Sequence, residues 1–108
     1  MSGSSLNLIV NKYMVQHAFK VADHFAIRGR GLIVVTDKTY EQLGPNFVVK
    51  IGDPVEFRRD NQVMLRSTVE GIEHCNPWSP NRPFVFSLPP DISKEDVPFG
   101  TEIWLDER

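Results

Sequence analysis

The chain has 108 residues, a formal net charge of −2, 41% hydrophobic residues and 24% charged ones. That is the content of one globular domain, and it excludes both a multidomain enzyme and a disordered tail. The acidic balance excludes a strongly basic nucleic-acid module of the histone or zinc-finger kind, so any RNA contact has to come from a local patch.

Residues 1–14 read as an N-terminal arm. Met1-Ser2-Gly3-Ser4-Ser5 is a flexible lead-in, and the stretch from Ser4 to Met14 does not share the strand period that begins at Val15. Its apolar cluster, Leu6, Leu8, Ile9 and Val10, has no basic segment before it and does not resemble a signal peptide. No apolar run approaches the ~18 residues that cross a bilayer. Cys75 is the single cysteine and has no partner for an internal disulfide, so the expectation is a soluble protein of a reducing compartment, most simply the cytoplasm.

From residue 15 to 108 the pattern is that of a β domain. Val15, His17, Phe19, Val21, Asp23, Phe25 and Ile27 alternate with polar neighbours as in a half-buried strand. Asp23 interrupts the alternation, which predicts a bulge near Asp23-His24. Arg28-Gly29-Arg30-Gly31 is a tight turn. Leu32-Ile33-Val34-Val35-Thr36 is continuous and β-branched, a strand covered on both sides or a barrel wall. A loop is expected from Asp37 to Asn46, then a strand at Phe47-Val48-Val49-Lys50-Ile51 that turns at Gly52-Asp53-Pro54 into Val55-Glu56-Phe57-Arg58.

Asp60-Asn61 marks a further turn, followed by Val63-Met64-Leu65 and by Ser67-Thr68-Val69-Glu70-Gly71-Ile72-Glu73 as one strand or a pair. The prolines crowd into residues 77–98, where only Phe84-Val85-Phe86-Ser87-Leu88 can be a strand. Asp91 to Asp96 can form one helical turn with Ser93 as N-cap and Asp96 completing a capping box. Glu102-Ile103-Trp104-Leu105 is the last strand. Six or seven short strands with almost no helix predict an all-β fold, a small closed barrel.

Four of these segments, in this order, resemble the second, β-barrel domain of translational GTPases such as elongation factor Tu and its selenocysteine-specific homologue. Phe25-Ala26-Ile27-Arg28-Gly29-Arg30-Gly31-Leu32-Ile33-Val34-Val35-Thr36 is similar to the run that opens that domain, and Val49-Lys50-Ile51-Gly52-Asp53-Pro54-Val55-Glu56-Phe57 to its hairpin. Ser67-Thr68-Val69-Glu70-Gly71-Ile72-Glu73 is similar to a later strand, and Ile92-Ser93-Lys94-Glu95-Asp96-Val97-Pro98-Phe99-Gly100 to the turn before the last one. The resemblance implies a stand-alone relative with a Greek-key-like barrel of about six strands. The chain departs from the family pattern at Asp37, usually glycine, at Pro98, usually acidic, and at Phe99, an arginine in elongation factor Tu.

A GTPase is not part of the expectation. The chain has no phosphate-cradling Gly-x-x-x-x-Gly-Lys loop, and Asn11-Lys12-Tyr13-Met14 lacks the carboxylate that reads guanine. His74 and Cys75 are strand neighbours that point to opposite faces, and His17 and His24 show no ligand spacing, so neither a catalytic pair nor a metal set is expected. The sequence implies no cofactor.

The candidate binding residues are of three kinds. Arg28 and Arg30 flank one turn and Arg58 and Arg59 precede another; if both turns meet, they form a phosphate-binding patch, and otherwise they are solvated charges. Trp78 lies among prolines in Asn76-Pro77-Trp78-Ser79-Pro80-Asn81-Arg82-Pro83, either as a contact anchor or as a lid over the barrel mouth. The resemblance implies that Asp96 lies beside a pocket for the terminal adenosine of aminoacyl-tRNA, where a carboxylate accepts a ribose hydroxyl. The expected function is a non-enzymatic module docking on RNA or a ribonucleoprotein component of translation. The alternative is a protein-interaction or regulatory module that binds no RNA.

Overall fold

A computed structural model describes residues 15–45, 47–74 and 77–106. They form seven strands: β1 (Val15–Ala26), β2 (Leu32–Thr39), β3 (Pro54–Arg59), β4 (Gln62–Thr68), β5 (Gly71–Glu73), β6 (Pro83–Ser87) and β7 (Glu102–Asp106). Helix is limited to α1 (Tyr40–Leu43) and a 3₁₀ turn at Lys94–Asp96. The strands make one antiparallel sheet in the order β4-β3-β7-β1-β2-β6-β5. The expected N-terminal arm and Cys75 lie outside the described residues.

β1 holds the two halves of the sheet together. Its first half pairs with β7, Phe19 opposite Ile103, and its second half pairs with β2, Phe25 opposite Ile33. The register shifts between Val21 and Asp23, just before the Asp23-His24 position that the sequence suggests, and a bulge bends a strand so that it can serve two neighbours. The sheet curls around one core. Phe19 and Val21 meet Val55, Phe57, Ile103 and Leu105 from one half and Leu32, Val34, Phe84 and Phe86 from the other. Thr36 is buried among them, its hydroxyl donating to the Phe84 carbonyl at 2.9 Å.

β4 and β5 end the hydrogen-bonded order, yet only Val69 and Glu70 separate them in the chain. The Val69 N–H donates to the Asp53 carbonyl, just before β3, at 2.9 Å, and the Glu70 N–H to the Ser87 carbonyl, in β6, at 2.8 Å. The two connecting residues therefore bond to the surroundings of both neighbouring strands.

Two segments differ from the sequence reading. β2 continues to Thr39, opposite Pro83, and α1 follows where a loop is expected. The cause is a capping box: the Thr39 hydroxyl accepts from the Gln42 N–H and the Gln42 side chain accepts from the Thr39 N–H. The expected strand at 47–51 is irregular. Phe47 and Val49 still pack on the core and Val48 and Ile51 are exposed, but among the described residues no strand pairs with them. The turn at Ser93 is as expected, with the Asp96 carboxylate accepting from the Ser93 N–H at 3.0 Å and from its hydroxyl at 3.1 Å.

Candidate functional site

Strand pleating sends alternate residues of β2 to opposite faces. Leu32, Val34 and Thr36 face the core, which leaves Ile33 and Val35 on the outer face. There the register aligns Val35 with Val85 and Asp23, Val85 with Glu73, and Ile33 with Phe25. The outer face of a sheet is ordinarily polar, but here Ile33 is only 2% exposed and lies outside the core cluster. It belongs to the floor of a groove of about 330 Å³, built from Phe25, Ile27, Ile33, Val35, Pro83 and Val85.

The rim is polar, formed by Glu73, His74 and Arg82. Arg30, from the β1–β2 turn, reaches across to donate a hydrogen bond to the Glu73 carboxylate, which fixes that carboxylate beside the groove. Phe25 is 45% exposed at the edge of the groove. Chemically, the site is an apolar slot with a charged acceptor and a cation at its edge. Such a site can bind a planar, partly apolar group that carries hydroxyls or amines.

The two arginine pairs are placed apart. Arg30 is engaged with Glu73, and Arg28 is exposed on the same turn. Arg58 and Arg59 instead border a polar depression with Lys20, Asp60, Phe99 and Glu102 on the other half of the sheet. Arg58 is also occupied: it donates to Glu56 at 2.7 and 3.0 Å and lies 4.5 Å over the ring of Trp104. Neither depression is lined by arginines of both pairs.

Glu56 is held by Arg58 and by Arg66, whose Nε donates to its carboxylate at 3.2 Å. The hydrogen bond from Arg58 lowers its carboxyl below the ordinary 4.5, burial opposes the shift, and Arg66 adds to it. A carboxylate whose folded value is lowered contributes stability above its unfolded value and loses it as pH falls through the folded one. The stability advantage of the wild type over Glu56→Gln is therefore expected to be complete above about pH 4.5 and to vanish at lower pH. Urea midpoints of both proteins along a pH series test this, and a difference independent of pH would count against it.

Asp96 caps the turn at Ser93 and is not among the residues of the groove. Trp78 is 58% exposed and borders a second groove, of about 380 Å³, with Tyr40, Pro45, Phe47 and Pro80. Among the described residues, no cluster of three or more His, Cys, Asp or Glu is arranged to hold a metal ion. No helix among them is long and apolar enough to cross a membrane. Compared with known proteins, the chain matches no family model and no curated protein.

Sequence reading names Arg30 but not the residues it serves. Phe25, Ile33, Val35, Val85 and Glu73 are scattered over β1, β2, β5 and β6 and are assembled only by register. The one local signal is the unbroken apolar run of β2. A strand apolar on both faces needs cover on both, and the outer face of β2 is roofed only in part.

Proposed function

We propose that the chain is a non-enzymatic binding module, a barrel of the translation-factor type that takes the unpaired end of an RNA into the groove over β2 and β6. One observation carries the reading: an apolar slot with a fixed carboxylate lies where two of the family-like motifs converge. Phe25, Ile27, Ile33 and Val35 come from the first motif and Glu73 from the third. For the barrel, β4 and β5 are read as a single strand that bonds β3 with its first half and β6 with its second, as β1 does with β7 and β2. That arrangement brings the order β4-β3-β7-β1-β2-β6-β5 back to its start with six strands.

Proteins read single-stranded RNA by stacking splayed bases on aromatic rings and by hydrogen bonds to base edges and ribose hydroxyls. In this groove the base lies on the apolar floor against Phe25, and Glu73 accepts a hydrogen bond from the terminal ribose. Arg28 and Arg82 are the cations nearest the path of the phosphates. With a chain charge of −2, affinity is modest and falls with salt.

The test is fluorescence anisotropy with a short single-stranded RNA that ends in adenosine and has free terminal hydroxyls. Phe25→Ala is expected to weaken binding on the order of tenfold, since stacking on an aromatic ring contributes ~1–3 kcal/mol per base. Glu73→Gln and a 3′-phosphorylated RNA are each expected to weaken it as well. Binding indifferent to Phe25→Ala and to the blocked terminus would overturn the proposal.

A further inference from the structure

The second groove does not share the chemistry of the first. Tyr40 and Phe47 form its floor and are held from beneath by the core. Phe84 meets Tyr40 edge-on at 5.9 Å and Phe47 at 5.1 Å, and Phe47 also meets Phe19 at 5.9 Å. Trp78 stands over this floor, its ring centre 6.1 Å from that of Tyr40. Pro45 and Pro80 complete the walls, so the aromatic surfaces are presented by parts of the chain with little conformational freedom. A rigid surface loses little entropy on binding.

The groove offers almost no backbone donors to a ligand. The N–H groups of Tyr40, Glu41, Gly44 and Phe47 donate to Arg82, Pro80, Tyr40 and Gly44 carbonyls, and Pro45 and Pro80 have none. Strand addition at these four residues would leave an incoming peptide's carbonyls without donors. The occupant must bury apolar rings while keeping its own backbone carbonyls in water. A polyproline II segment meets that condition, because its backbone makes no internal hydrogen bonds and stays solvated, and the helix is already extended.

Charge selects further. Among the described residues, Glu41 is the only charged one lining the groove; it is exposed and forms no ion pair with any of them. A carboxylate at this place repels phosphate and attracts a cation. The geometry points to a docking site for a proline-rich peptide segment carrying a basic residue, with proline rings packed across the exposed faces of Trp78 and Tyr40 and the cation on Glu41. This site is independent of the RNA groove, and either can fail without the other.

The test uses the full chain and a fluorescein-labelled peptide of repeated Pro-Leu-Pro units ending in Arg, followed by anisotropy. Saturable binding is expected. Trp78→Ala should weaken it on the order of tenfold or more, as aromatic anchors carry most interface energy. Glu41→Gln should weaken it about threefold or more, and the same peptide ending in Glu should bind no better to wild type than the Arg peptide binds to Glu41→Gln. Both substituted side chains are exposed, so melting curves are expected to match wild type. Absence of saturable binding would overturn the proposal. So would affinity unchanged by Trp78→Ala in a folded protein, equal binding of the Arg and Glu peptides, or displacement of the peptide by a short RNA that itself requires Trp78.

Discussion

Gly31→Ala is expected to abolish cooperative folding or to lower stability on the order of 3 kcal/mol or more, the upper end of what overpacking does. A Cβ built on Gly31 would lie 1.5 Å from the Leu88 carbonyl oxygen and 2.7 Å from its carbon. The obstacle is backbone, not the end of a flexible side chain. Leu88 is fully buried, and its N–H donates to the Leu32 carbonyl at 2.8 Å, so the chain after β6 cannot retreat without breaking its bond to β2. Gly29, two residues away, provides the control. It has φ +80° and open space around the absent side chain, so Gly29→Ala meets only the left-handed backbone penalty of roughly 1–2 kcal/mol. Urea denaturation of both variants separates the two causes. A Gly31→Ala protein within about 1 kcal/mol of wild type would show that β2 and the chain after β6 do not approach this closely.

Most of the strand content is readable because it depends on local properties of the chain. Alternation, the Asp23 break and the Gly-x-Gly turn are properties of short windows, and β1 and β2 lie where they predict, with the register shift just before Asp23. The turn at Asp60-Asn61 is readable for the same reason: both residues take positive φ, 52° and 65°, which Asn and Asp tolerate better than most side chains. Residues 47–51 show where local reading ends. Their apolar alternation is real and Phe47 and Val49 do face the core, but a strand also needs a partner at hydrogen-bonding distance. Whether one is present is decided by the fold and not by the window. α1 fails in the opposite direction: four residues are too few for a helical period, and only the Thr39–Gln42 capping pair announces it.

The grooves are less legible than the strands. Arg28, Arg30, Arg58 and Arg59 stand out as charges beside turns, but sequence cannot say that Arg58 lies on Trp104 while Arg30 crosses to Glu73. Trp78 is legible as an oddity, an aromatic between prolines. Its partners Tyr40 and Phe47 come from a segment that reads as loop and strand, so the groove itself cannot be foreseen. Asp96 reads both as a cap and as a ligand-facing carboxylate, and the fold uses it in the cap.

Phe84→Ala is expected to lower stability by about 3–5 kcal/mol, the usual effect of emptying a buried aromatic site. Phe84 is fully buried and its ring lies against four others: Phe86 stacked at 5.5 Å, Phe47 at 5.1 Å, Tyr40 at 5.9 Å and Phe19 at 6.0 Å. Those neighbours belong to β6, to the irregular segment after α1, to α1 and to the first half of β1. One side chain thus packs both halves of the sheet and the floor of the Trp78 groove. Its removal leaves Tyr40 and Phe47 without their support, so any variant that remains folded should also bind the proline-rich peptide more weakly, although Phe84 lies beneath the ligand. Phe84→Leu, which restores much of the volume, should recover most of the stability and less of the binding, because the edge-on ring contacts are not replaced. Urea midpoints and peptide anisotropy on the same two variants test both parts. A Phe84→Ala protein as stable as wild type would mean that the two halves of the sheet do not share one core.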